Sequence, residues 1–206
     1  KIVITYIYFS IILKFMRILV TGGAGYIGSH TCRVLCDKGY DVVVYDSLEK
    51  GHRESLPSNV RLIVGDLSDT SKLNECFKEK IDGVIHFANY IEVGDSMKNP
   101  LRFFKNNISN GINLLNVMNE NGVKNIVFSS SAGVYGQPKK IPIKEDVDKK
   151  PVNNYGLAKL MFEEIIDSCG MNNICLRYFN ASGAGFGIGE DHNPETHLIP
   201  LILGNI

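Results

Sequence analysis

The sequence predicts an α/β fold with a doubly wound parallel sheet, and three observations carry that prediction. Short, β-branched apolar runs alternate with helix-length segments along most of the chain. The runs are apolar throughout rather than alternating, as in strands buried on both faces. The first run stops in a glycine cluster that opens onto a helix-compatible segment, Arg17-Ile-Leu-Val-Thr-Gly-Gly-Ala-Gly-Tyr-Ile-Gly-Ser-His30. A length of 206 residues, 44% of them hydrophobic, suits one globular domain with the beginning of a second region.

The strands expected in order are Ile18–Thr21, Val42–Tyr45, Arg61–Val64, Gly83–Phe87, Asn125–Ser129 and Ile174–Arg177. Helices are expected over 26–38, 70–79, 99–121 and 155–169. Ser71 or Asp69 is placed to cap the second of these. Gly39, Gly122 and Gly170 each follow a helix, where an αL residue closes the last turn. Strand, helix, strand with short links requires parallel pairing and right-handed crossovers. After Arg177 the pattern changes: Gly183–Gly189 is loop-like, and Leu198–Ile206 is an apolar helical stretch. The expected division is therefore an extension at 1–15, a nucleotide-binding domain at 16–180 and the start of a second region at 181–206.

Residues 1–15 read as an apolar extension outside the domain, with Met16 as the natural start. The run Ile2–Leu13 is too short to span a bilayer as a helix, and Lys14 and Arg17 block any lengthening. No small-residue cleavage site follows it, which speaks against a signal peptide. An anchor resting on a membrane surface is the alternative reading.

Zero formal net charge without a basic run speaks against nucleic acid or an anionic membrane as the partner. The five cysteines are odd in number and lack zinc-ligand spacing, so reduced thiols in the cytoplasm are expected. Cys32 and Cys36, one helical turn apart, read as small apolar residues. The five histidines are scattered and suggest no metal site. His86, inside the fourth strand, reads as a satisfied core histidine.

Glycine lets backbone N–H groups approach a ligand closely, and a helix N-terminus adds partial positive charge. Gly22, Gly25 and Gly28 therefore mark a phosphate-binding turn; glycines that serve only close packing are the alternative. No Gly-Lys-Ser/Thr closes the loop, so a P-loop is excluded. Asp46 ends the second strand, where a carboxylate holds the 2′-hydroxyl of an adenosine ribose and repels a 2′-phosphate. That favours NAD over its phosphorylated form, with Lys50 and Arg53 close by on the other side of the balance. Asp66, with Leu67, is placed to meet the adenine or, equally on sequence, to cap a helix.

Tyr155 and Lys159 lie one turn apart on a predicted helix and share a face. A phenol with a pKa of about 10 is a poor base at neutral pH, and a nearby ammonium lowers it. Ser131 follows the fifth strand, at the sheet edge where open α/β proteins bind ligands. There it can hold a reacting hydroxyl or relay its proton to Tyr155. Ser129 and Ser130 read as strand-end hydrogen-bonders, and no G-x-S-x-G elbow is present.

Together, the glycine loop, Asp46, Ser131 and the Tyr155/Lys159 pair resemble the extended short-chain dehydrogenase/reductase superfamily, whose fold is Rossmann-type. Met16–Thr31, Val84–Ala88, Ser129–Gly136, Leu176–Ala184 and Gly189–Leu203 are similar to the UDP-glucose 4-epimerase family. That resemblance implies an isomerase of galactose metabolism that holds NAD tightly and oxidises a UDP-sugar transiently at C4. It implies cofactor contacts from Tyr26, Ile27, Asp46, Asp66, Leu67, Phe87, Ala88, Asn106, Lys159 and Phe179. It places Ser131, Tyr155, Asn180, His197 and Leu198 beside the substrate, and implies a homodimer. Family members are considerably longer, so the resemblance implies a C-terminally truncated chain lacking most uridine-diphosphate contacts. Two positions depart from the family: Ile91 stands where a lysine is frequent, and Gly133 where a threonine is frequent. A 4-epimerase of another UDP-sugar and a non-catalytic NAD-binding regulator remain alternatives. A 4,6-dehydratase is disfavoured, because Ala132 and Gly133 stand where its acid/base carboxylate is needed.

Overall fold

A computed structural model of the chain describes residues 16–192, 195 and 198–204. The expectations for the extension at 1–15 and for His197 lie outside the described residues. Six parallel strands form one sheet: β1 (Arg17–Thr21), β2 (Asp41–Asp46), β3 (Arg61–Val64), β4 (Gly83–His86), β5 (Asn125–Ser131) and β6 (Asn172–Tyr178). Their spatial order is β3-β2-β1-β4-β5-β6, the Rossmann order. The chain winds outward one way from β1 and the other way from β4, which opens a crevice between their carboxyl ends.

Why the strands read as unbroken apolar runs is visible in β1. Leu19 packs with Val43, Val84, Ile126, Leu114 and Phe162 on one face of the sheet. Ile18 and Val20 pack with Cys32, Val42 and Val44 on the other. Helix α1 (Tyr26–Asp37) covers that second face. The first face is covered by α2 (Thr70–Asn74), α5 (Asn110–Glu120) and α6 (Asn154–Ser168). Of the two cysteines on α1, Cys32 is fully buried and Cys36 half-buried, and both are free thiols.

Several boundaries differ from expectation for identifiable reasons. The predicted helix 70–79 is α-helical only to Asn74 and then tightens into a 3₁₀ turn, Glu75–Phe77. Asp69, not Ser71, caps it: Asp69 Oδ1 accepts from Lys72 N at 2.9 Å. The strand expected over 125–129 runs on to Ser131, because β6 pairs with it through Ser131↔Tyr178. A short helix, α3 (Val93–Lys98), forms where no element was expected.

The helix expected over 99–121 is three pieces. Pro100 opens α4 (Pro100–Phe104), with proline at the position that needs no N–H partner. A π turn follows over Lys105–Ser109, and α5 continues. Such a turn inserts an extra residue into the helix and re-aims its side chains. Here it delivers Asn107, whose Oδ1 accepts from Tyr90 N and whose Nδ2 donates to Tyr90 O, both at 2.9 Å. The loop after β4 is thereby pinned to the sheet edge. Nothing in hydrophobic periodicity distinguishes a π turn from an α turn.

Candidate active site

The crevice at the carboxyl edge of the sheet is a cleft of about 1000 Å³. Gly22, Gly25, Tyr26, Ile27, Gly28, Asp46, Asp66, Leu67, Phe87, Ala88, Asn106, Ser131, Tyr155, Lys159, Phe179, Asn180 and Leu198 all line it. Every described residue expected to react or to bind cofactor or substrate thus lines one cleft.

On the β1 side the cleft is built from backbone. Gly22 has φ 70°, and a Cβ there would lie 2.5 Å from Ala88 N. A Cβ on Gly28 would lie 2.2 Å from Gly22 O. Gly25 caps α1 without a side-chain partner, so the amides of the first turn face the cleft. Uncapped amides at the positive end of a helix suit an anion.

Asp46 is buried, with both carboxylate oxygens engaged. Oδ2 accepts from Ala24 N at 2.9 Å, and Oδ1 from Leu48 N at 2.8 Å. Leu48 takes a left-handed φ of 59° to make that bond. Each oxygen keeps a further lone pair for a ligand hydroxyl. Asp46 therefore ties the glycine loop to β2 and presents an acceptor to the cleft. Asp66 does not cap a helix: its Oδ1 accepts from Ser68 N at 2.8 Å and Asn110 Nδ2 at 3.3 Å. Capping belongs to Asp69, which leaves Asp66 in the cleft wall. Lys50 pairs with Glu92 across the cleft at 3.4 Å, and Ile91 lines the wall beside Glu92.

On the β5 side the site is built from side chains. Asn153 caps α6 by accepting from Gly156 N at 2.8 Å. Ser96 of α3 steadies the same end, accepting from Tyr155 N at 3.1 Å. The second contact is not legible in the sequence, because Ser96 and Tyr155 are 59 positions apart. A Cβ on Gly156 would lie 2.6 Å from Gly133 O. That close approach lets the 3₁₀ turn Ala132–Tyr135 sit directly on α6, with Ser131 beside Tyr155. A Cβ on Gly133 itself would lie 3.3 Å from Ser131 Oγ, so a larger residue there presses on the serine.

Burial raises the pKa of the Tyr155 phenol, and neighbouring Ser131 opposes that shift. Lys159 is not among the groups that shift it. Lys159 Nζ instead donates to Ser129 O at 2.6 Å and lies over the Phe128 ring, 5.7 Å from the Tyr155 ring centroid. Burial pulls Lys159 down to about 7, opposed by Glu163. A buried ammonium with one carbonyl and two ring faces is poorly solvated, which is the physical cause.

His86 is a core histidine, as expected. Its Nδ1 lies 2.7 Å from Thr21 Oγ1, and Asn89 Nδ2 donates to Nε2 at 3.1 Å. It stacks on Phe128, and burial lowers its pKa to about 3, so the ring is neutral. The sequence suggested no metal cluster; among the described residues, Glu190, His192 and Glu195 bring one ligand atom each within 4.8 Å. His192 Nδ1 and Glu190 Oε1 lie within hydrogen-bond distance, 3.1 Å apart.

The NAD dependent epimerase/dehydratase family matches residues 18–206. The chain belongs to that family. It is 49% identical over 195 residues to a UDP-glucose 4-epimerase of Lacticaseibacillus casei, covering 91% of this chain and 59% of that protein. It is 51% identical over 197 residues to one of Streptococcus mutans, with the same coverage. Among solved structures it is similar to UDP-glucose 4-epimerase from Brucella ovis in complex with NAD, at 40% identity and TM-score 0.87, covering 90% of this chain and 59% of that one. It is also similar to the Bifidobacterium longum enzyme with NAD+ and UDP, at 38% identity and TM-score 0.82, covering 85% and 57%. The chain thus spans about six tenths of the length of these epimerase/dehydratase relatives. Among the described residues, no helix is long and apolar enough to cross a membrane.

Proposed function

We propose that the protein interconverts UDP-glucose and UDP-galactose, using NAD to oxidise the sugar transiently at C4. The observation that carries this reading is the meeting of Ser131, Tyr155 and Lys159 at one end of a cleft whose other end is a glycine-walled, uncapped helix N-terminus. Identity of about one half to proteins named UDP-glucose 4-epimerase supports the substrate class.

In this reading residues 16–180 form the cofactor domain and 181–206 begin the substrate region. The backbone around Gly22, Gly25, Tyr26, Ile27 and Gly28 would hold the pyrophosphate, and Asp46 the adenosine ribose. Asp66 and Leu67 would border the adenine. Phe87, Ala88, Asn106, Lys159 and Phe179 would flank the remainder. Asn180, His197 and Leu198 would meet the nucleotide sugar. NAD, when bound, supplies a hydride acceptor that can return the hydride to C4. Tyr155 takes the sugar 4-hydroxyl proton at its phenolic oxygen and gives it back, and Ser131 holds the same oxygen. Since burial holds the Tyr155 phenol up and Lys159 does not offset it, its ionisation would need the positive charge that NAD brings when bound.

Tyr26 Oη donates to Gly183 O at 2.6 Å, so the segment after β6 lies over the start of α1 and encloses the cofactor end. A homodimer in the cytoplasm is the assembly proposed. Exposed Met97 and Leu101 on α3 and α4, with Leu157 and Met161 on α6, offer an apolar surface for it. The test is direct: the protein given UDP-galactose and NAD is expected to form UDP-glucose, followed by NMR of the anomeric signals. Bound NAD without interconversion would overturn the substrate assignment.

A further inference from the structure

One buried carboxylate ties together every element that carries a reacting group. Glu163 lies two turns beyond Tyr155 and one beyond Lys159 on α6, and it is buried. Its Oε1 accepts from Ser130 Oγ at 2.5 Å and from Arg177 Nε at 2.9 Å. Its Oε2 accepts from Arg177 Nη2 at 2.7 Å, completing a two-point guanidinium pair. Arg177 Nη1 donates on to Tyr135 Oη at 2.7 Å. The carboxylate therefore joins α6 to β5 through Ser130, to β6 through Arg177, and through Tyr135 to the 3₁₀ turn that follows Ser131.

Placement gives the network its meaning. Ser130 sits between Ser129, whose carbonyl accepts from Lys159, and Ser131, which lies beside Tyr155. Ser130 and Arg177 are register partners across β5 and β6, so the sheet presents both to Glu163 together. A buried ion pair is about neutral for stability compared with packed apolar residues. Stability alone is therefore a weak reason to bury these charges one helical turn from the reacting groups.

We propose that Glu163, braced by Arg177, is a positioning residue: it locks the end of β5 against α6 so that Ser131, Tyr155 and Lys159 stay in register, and it favours the ammonium form of Lys159. The proposal rests on the epimerase reading for what the register serves. The groups facing Lys159 are Glu163 and Tyr155 on its own helix and His86 from β4. Arg177 from β6 and Lys149 reach it only through Glu163. His86 is neutral, so among these Glu163 is the anion that supports the ammonium.

The test uses Glu163→Gln, Glu163→Asp and Ser130→Ala, with two readouts. The first is the NMR titration of the Lys159 side chain in cofactor-free protein. Removing the anion disfavours the ammonium, so in Glu163→Gln the midpoint is expected to fall by at least about half a pH unit. Glu163→Asp keeps the charge and is expected to leave the midpoint close to that of the parent. The second readout is turnover: kcat is expected to fall about tenfold or more in Glu163→Gln, with KM and NAD affinity within about twofold. Ser130→Ala cuts the link to β5 while leaving the ion pair, so it serves should Glu163→Gln not fold. Its kcat is expected to fall several-fold in protein that still folds, as read by circular dichroism. An unmoved Lys159 midpoint in folded Glu163→Gln, or unchanged kcat in Ser130→Ala, would overturn the proposal. A parent protein without interconversion activity refutes the epimerase reading instead, and the Lys159 titration still decides the role of Glu163.

Discussion

The two halves of the cleft are built by different means. The β1–β3 half uses glycine, backbone amides and one carboxylate, Asp46, whose bonds go to the backbone of Ala24 and Leu48. The β4–β6 half uses buried titratable side chains, His86, Lys159 and Glu163, with partly buried Arg177 paired to the last. An anionic ligand asks only for donors held close together, and backbone geometry meets that need without burying a charge. Proton transfer asks for groups that change charge near neutral pH, and these need partial desolvation and partners. The binding half is thus governed by shape, and the chemical half by electrostatics.

The comparison can be broken in order of effect. Tyr155→Phe removes only a hydroxyl in the chemical half. It is expected to lower kcat by about 100- to 10,000-fold while NAD stays bound, as read by turnover and by mass spectrometry of retained nucleotide. Equal loss of NAD would show that the halves are not separable. Gly28→Ala strikes the binding half: its Cβ meets Gly22 O at 2.2 Å, and backbone cannot give way cheaply. About 3 kcal/mol of stability and NAD affinity are expected to go together, measured by denaturant unfolding and calorimetric titration.

The electrostatic half also predicts pH dependence. His86 is held at about 3, below its unfolded value of 6.5. As pH falls through that window the unfolded chain takes a proton that the folded one refuses, so stability is lost toward acid, by at most about 1.4 kcal/mol per pH unit. Lys159, held at about 7, gives the complementary window. Between about 7 and the ordinary lysine value the unfolded chain binds the extra proton, so stability rises with pH. Denaturant unfolding of His86→Gln between pH 7 and pH 5 is expected to show a shallower acid loss than the parent. Smallest is Asp69→Ala, which uncaps α2 and is expected to cost about 1 kcal/mol without changing kcat.

Legibility followed the same division. The glycine loop, Asp46 and the Tyr155/Lys159 spacing are local patterns, and each could be read where it stands. Asp66 could not be settled between capping and the cleft until Asp69 was seen to hold the helix. Glu163 reads as one more polar position on α6, and Arg177 as the end of a strand. Only the register of β5 with β6 makes Ser130 and Arg177 its partners. The π turn at Lys105–Ser109 and the short helix carrying Ser96 were invisible for the same reason: their bonds reach Tyr90 and Tyr155, far along the chain.

By itself, then, the sequence determined the doubly wound sheet and the glycine-walled binding turn, because hydrophobic runs and glycine requirements act over a few residues. The tertiary structure alone decided which oxygen Lys159 donates to, that burial dominates the Tyr155 phenol, and which carboxylate joins β5 to α6. Those depend on desolvation and on distances between elements, and neither is written in any local stretch of sequence.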